Sequence, residues 1–218
     1  MPAPLAQLFL LDPDGQSADA FAQAYRGLAT DEQARAAAIP HRGRRDEFVW
    51  GRALARAALS QVAGEASEAW RFRLDERGRP WIVAPERWLV LRFSIAHCEG
   101  LVACLVGDAS ELGLDVEAVA RRGELEAIAE RFFAPREREA LNALAPAERR
   151  SAFFDLWTAK EALGKAQGQP LARMLAEAEI GRVALYDLDA RWRVAALPAV
   201  AHARWFDPAS GAERPAAL

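Results

Sequence analysis

Leu112-Gly113-Leu114-Asp115-Val116-Glu117 repeats with period two, and Trp157-Thr158-Ala159-Lys160-Glu161-Ala162-Leu163-Gly164-Lys165 repeats at steps of three and four. The first pattern predicts a half-buried strand, with Leu112, Leu114 and Val116 turned to a core and Gly113, Asp115 and Glu117 on the other face. The second predicts a helix that gathers Trp157, Lys160, Glu161 and Lys165 on one side. A strand bearing two carboxylates and a helix bearing two ammonium groups and a third carboxylate set the class as α+β. They also bring together groups suited to a divalent cation and a phosphate.

Working outward, residues 18–38 read as one Ala-rich helix closed by Pro40, and residues 46–62 as a second, amphipathic one. Residues 71–75, 88–97, 100–107 and 111–119 read as strands, with a turn at Arg77-Gly78-Arg79-Pro80. Helices are expected over 123–133, 135–144 and 147–167, the last stopped by Gly168. Short strands follow at 180–185, 192–196 and 199–206. The order of helices and strands repeats, which suggests two similar α+β halves, 1–108 and 109–218, in a pseudo-twofold arrangement with a cleft between them.

Composition bounds the function. A formal net charge of −3 and a pI near 5.7 disfavour binding to nucleic acid. Two cysteines, Cys98 and Cys104, form no CxxC pair, which fits a reducing, cytoplasmic setting. Three histidines make a multi-histidine zinc site improbable. The first eleven residues carry no basic region and read as a strand rather than a signal peptide. No apolar run reaches the roughly 18 residues of a membrane span.

Neighbouring carboxylates such as Asp115 and Glu117 repel one another, and a hard cation such as Mg²⁺ relieves this. Alone, the strand also fits an ordinary wet face. Glu161 and Lys165 form an i,i+4 pair, which on a surface is worth a few tenths of a kcal/mol. Lys160 and Lys165 are, however, the only lysines in a chain otherwise served by arginine. An ammonium in that setting suits a point contact to phosphate or a proton transfer. His97 ends the strand Phe93-Ser94-Ile95-Ala96-His97, where it could donate to a phosphate.

Together these residues resemble the Sfp-type 4'-phosphopantetheinyl transferases. The order Gly78-Arg79-Pro80, Ser94-x-x-His97, Gly113-x-Asp115-x-Glu117, Arg131-Phe132-Phe133 and Trp157-x-x-Lys160-Glu161-x-x-x-Lys165 carries the resemblance, chiefly over residues 78–168. It implies transfer of 4'-phosphopantetheine from coenzyme A to a serine of an acyl or peptidyl carrier protein, with release of 3',5'-ADP. It implies Mg²⁺ on Asp115, Glu117 and Glu161, and coenzyme A phosphates at His97, Lys160 and Lys165. It places Arg79 by the adenine and an arginine of the second helix, Arg45 or Arg52, on the 3'-phosphate. Family members often carry arginine four residues before the helix glycine, where this chain has Glu47. Glu161, or a metal-bound hydroxide it orients, would be the base. The resemblance implies a monomer acting without nucleic acid or membrane, and Arg121, Arg122 and Arg131 are candidates for meeting an acidic carrier. The residues alone leave two other readings open: another Mg²⁺-dependent phosphohydrolase or nucleotidyl transferase, and a non-enzymatic interaction module.

Overall fold

The computed structural model describes residues 6–120, 125–169 and 180–218. The start of the helix expected from residue 123, together with Arg121 and Arg122, lies outside them. The class is α+β, built as four layers.

The first strand, β1 (Ala6–Leu11), is followed by helices α1 (Ala18–Arg26), α2 (Thr30–Ala37) and α3 (Arg42–Ala63). Strands β2 (Arg71–Leu74) and β3 (Pro80–Ala84) form a hairpin, and β4 (Arg92–Cys98), β5 (Leu101–Gly107) and β6 (Gly113–Ala118) follow. Helices α4 (Leu125–Phe132), α5 (Pro135–Asn142) and α6 (Pro146–Gln167) come next, then β7 (Ala184–Leu188), β8 (Trp192–Leu197), β9 (Ala203–Phe206) and β10 (Glu213–Ala216).

Five strands make one sheet in the order β10-β9-β1-β5-β4, and three make another in the order β6-β8-β7. The inner faces of the two sheets pack together through Leu8, Leu10, Ala103 and Leu105 on one side and Leu112, Leu114, Val116, Val194 and Ala196 on the other. Helix α3 covers the far face of the larger sheet with Trp50, Leu54, Ala55 and Leu59 against Phe9, Leu11, Val102 and Cys104. Strand β5 is thus buried on both faces, which is why Leu101-Val-Ala-Cys-Leu-Val reads as an unbroken apolar run. Helix α6 covers the far face of the smaller sheet, with Leu163 and Ala166 against Leu197. The expected alternation of β6 holds, but its polar face meets α6 rather than open water.

Several expectations change. The helix over 18–38 is two helices. Gly27 closes α1, and the Glu32 carboxylate accepts from the Ala29 N–H 3.1 Å away to start α2. The basic stretch before residue 46 is the first turn of α3, and the His41 imidazole caps it by accepting from Arg44 N. The turn expected at 77–80 joins β2 to β3, a strand not expected from the sequence. Strand β10 went unforeseen because Glu213-Arg-Pro-Ala lacks an apolar alternation; it forms at the sheet edge, where proline is tolerated. Strands β9 and β10 join the sheet built from β1, β4 and β5, so C-terminal residues complete the N-terminal sheet. Among the described residues no helix is long and apolar enough to cross a membrane.

Candidate active site

A cavity of about 380 Å³ opens between α3, the β2–β3 turn, β4 and the C-terminal half of α6. Its walls include Glu47, Phe48, Arg52, Arg79, His97, Glu161 and Lys165.

Glycine brings α3 to this wall. A Cβ on Gly51 would lie 3.2 Å from Ile95 Cγ2, so the helix rests close on β4 and carries Glu47 and Arg52 past its edge. Glu47 Oε2 is 3.5 Å from His97 Nδ1. Burial holds the His97 imidazole below its ordinary pKa and Lys165 adds to this, while Glu47 pulls the other way.

Arg52 is almost wholly buried. Its guanidinium faces the Phe48 and Phe72 rings, with Cζ 5.2 and 5.9 Å from their centroids, and its Nε lies 3.4 Å from Glu32 Oε1. Arg56, one turn on, also pairs with Glu32 and donates to Trp70 O at 2.7 Å. Two guanidinium groups therefore share one buried carboxylate. Among the described residues Arg52 Nη1 has no hydrogen-bond partner, and Arg52 is one of the residues that line the cavity. Burial lowers the pKa of Arg52 despite Glu32. The Glu32–Arg52–Arg56 cluster was not foreseen in the sequence; the i,i+4 spacing of the arginines was its only local trace.

The strand side is set by a second glycine. A Cβ on Gly113 would lie 2.7 Å from Ala166 N and 2.9 Å from Ala166 Cβ, so only glycine lets β6 meet α6 this closely. Ser94 Oγ accepts from Leu114 N at 3.2 Å and ties β6 to β4. Lys165 Nζ then reaches Asp115 Oδ1 at 2.7 Å, and Trp157 Nε1 donates to Glu117 Oε1 at 2.9 Å. Cys98 lies in the field of both carboxylates: burial first, then Glu117 and Asp115, pushes its thiol up to about 12. Asp115 and Glu117 stand beside the cavity rather than on its wall, linked to it through Lys165.

The structure divides the face of α6 that the spacing gathers. Glu161, Gly164 and Lys165 line the cavity. Lys160 turns into the helical lobe of α4, α5 and α6, fully buried, with Nζ 2.6 Å from Glu137 Oε2 and 5.3 Å from the Phe133 ring centroid. Consecutive helical residues differ by about 100° in direction, so Lys160 and Glu161 serve different neighbours. Arg45 is not on the cavity wall either. It lies seven residues, about 10 Å, before Arg52 on α3 and is paired with Asp46 at 3.5 Å.

Residues 111–197 match the family model described as the 4'-phosphopantetheinyl transferase superfamily. Over this stretch the chain is similar to that superfamily. It is 34% identical over 147 residues to 4'-phosphopantetheinyl transferase HetI of Nostoc sp., covering 67% of this chain and 62% of the relative. It is 32% identical over 123 residues to a 4'-phosphopantetheinyl transferase of Bacillus subtilis, covering 56% and 52%. Against AcpT of Escherichia coli it is 30% identical over 129 residues, covering 59% and 61%. The chain thus spans about three fifths of the length of the first curated relatives it matches. The superfamily match begins at Glu111, one residue before the Leu112–Glu117 stretch, so it contains Asp115, Glu117, Glu161 and Lys165 but neither His97 nor Arg52.

Proposed function

We propose that the chain transfers the 4'-phosphopantetheine group of coenzyme A to a serine hydroxyl on an acyl or peptidyl carrier protein and releases 3',5'-ADP. The observation that carries this reading is the Lys165–Asp115 pair at the margin of a cavity that also holds Glu161, His97 and Arg52. The two halves, 1–108 and 109–218, then divide the work. The first supplies the nucleotide side and the second the carboxylates and α6.

The donor set fits Mg²⁺. Asp115 and Glu117 are neighbours on one face of β6, which meets the cavity side of α6. Mg²⁺ is held by one or two carboxylates plus substrate phosphates rather than by a closed protein cage. The described residues accordingly need no group of three ready-made ligands, and they contain none. Asp115 and Glu117 would hold the ion, which when bound would neutralise charge on the pyrophosphate, while Glu161 faces the cavity from α6.

The chain's own residues do the rest. Arg52 offers its buried donor to the 3'-phosphate at the α3 end of the cavity. His97 donates to a pyrophosphate oxygen. Arg79 stands on the cavity wall beside the proposed adenine position, with its guanidinium committed to Lys165 O and Leu112 O rather than to the nucleotide. Glu161 accepts the proton of the serine hydroxyl as its oxygen bonds to phosphorus. The bond from that phosphorus to the bridging oxygen breaks, and 3',5'-ADP leaves with the electron pair. Lys165, drawn from Asp115 to the phosphate, stabilises the charge that builds in transfer. Lys160 supports this from behind by holding α6 against α5.

Incubation of the chain with coenzyme A, Mg²⁺ and an apo carrier protein, read by intact mass, tests the proposal. A phosphopantetheine mass increment on the carrier serine is expected, and a folded Asp115→Ala variant should give none. Full modification by that variant would remove Asp115 from the metal site; no modification of any carrier by the wild type would overturn the function.

A further inference from the structure

Arg79 does more than line the cavity. Its position is fixed from both sides: Asp75 N donates to Arg79 O at 2.9 Å, and Asp75 Oδ1 accepts from Arg79 N at 2.8 Å. Gly78 before it takes a left-handed φ of 80°, which lets the turn close. From this fixed base the guanidinium leaves the hairpin and crosses to the other sheet. One arm, Nη1, donates to Lys165 O, and the other, Nη2, donates to Leu112 O at 2.8 Å.

These two carbonyls belong to the segments that carry the Lys165–Asp115 pair. Leu112 immediately precedes β6, three residues before Asp115. Lys165 lies in the last turn of α6, where carbonyls lack partners further along the helix. Gln169 N and Gly168 N both turn to Gly164 O instead, so neither takes Lys165 O. Arg79 supplies the missing donor. Gly113 completes the arrangement, since its lack of a side chain lets the two backbones meet.

We propose that Arg79 is a positioning residue for transfer: its planar fork clamps the C-terminal turn of α6 to the start of β6 and so sets the reach of Lys165 toward Asp115 and the phosphate. The inference rests on the transferase reading for its kinetic consequences, not for the clamp itself. A fork suits two carbonyls in a fixed geometry, whereas an ammonium at that place would serve one well.

The test compares wild type, Arg79→Lys and Arg79→Met in two ways. Hydrogen exchange is followed at residues 112–114 and 164–169, and kcat and the coenzyme A KM are measured with an apo carrier. In Arg79→Met both segments should exchange faster. Its kcat should fall roughly 30-fold with the coenzyme A KM changed less than about threefold, because a small misplacement of the reacting groups is costly. Arg79→Lys should fall between. Guanidinium ion, added well below denaturing levels, should restore part of kcat in Arg79→Met and none in wild type. A rise in KM alone would make Arg79 a ligand contact and overturn the proposal. Unchanged exchange in both segments would overturn it too. If the wild type modifies no carrier, the transferase reading fails, and exchange alone decides whether Arg79 holds the two segments together.

Discussion

An ammonium paired with a carboxylate stays in place until a stronger partner arrives. Lys165 holds Asp115 at 2.7 Å, and a cation on Asp115 would release Lys165 to a phosphate. Lys165→Ala should therefore lower the single-turnover rate on a carrier by about 100-fold or more, with coenzyme A affinity falling less. Lys165→Arg should rescue little, because a planar fork does not replace a compact ammonium. Equal rates in all three proteins would reduce Lys165 to a structural ion pair. His97 gives a second outcome, in pH. Partial desolvation at the cavity edge, where the imidazole remains 46% exposed, holds its folded pKa below the ordinary 6.5, so the unfolded chain binds the proton more readily. Its contribution to stability is present above pH 6.5 and is lost as pH falls from there through the folded pKa. An anion placed beside it reverses the preference, so coenzyme A binding near neutral pH should take up protons. Calorimetry in two buffers of different ionisation enthalpy should show this uptake, and His97→Gln should abolish it. Uptake that persists in His97→Gln would place the titrating group elsewhere.

Helix α6 serves two lobes at once, and its sequence shows only part of that. The i,i+4 steps from Trp157 to Glu161 to Lys165 gave the helix, because that follows from a local period; its meeting with the carboxylate strand, 50 positions away, was legible only through the complementary chemistry of the two motifs and the family resemblance. The destination of Lys160 was not legible, since Glu137 lies 23 positions away on α5 and nothing local links them. Arg52 was legible as a candidate but its burial was not, because that depends on Glu32 from a different helix. Lys160 yields a prediction for the element. Its ammonium is fully buried, and Glu137 both pairs with it and accepts from Ala134 N at 2.9 Å to start α5. Glu137→Ala removes the carboxylate from a buried charge and the cap from a helix, at a cost of about 3 kcal/mol. Urea titration should register that loss. A change under about 0.5 kcal/mol would mean that other groups carry the Lys160 charge.

At the scale of the whole molecule the division near residue 108 is crossed by β9 and β10. The sheet core was legible as apolar strands, but strand order was not, because β1 pairs in parallel with β9 almost two hundred positions later. Such a pairing leaves no mark on local periodicity. Its consequence is mechanical: Leu8↔Ala203 and Leu10↔Trp205 join the first strand to the last third of the chain. Trp205 is buried and packs near Trp192 of the smaller sheet, with ring centroids 6.1 Å apart. Removing residues 199–218 would leave β1 with one partner, strip Val200, Ala203 and Trp205 from the core between the sheets, and open an apolar strand edge. The lost burial is comparable to the net stability of a typical domain, on the order of several kcal/mol. The truncated chain should therefore unfold or aggregate, including the part that carries α3 and His97. The full chain should melt in one transition, seen equally by exchange at β5 in the larger sheet and β8 in the smaller. A truncated chain that kept β5 protected while β8 exchanged freely would show instead that the N-terminal sheet stands without the strands that complete it.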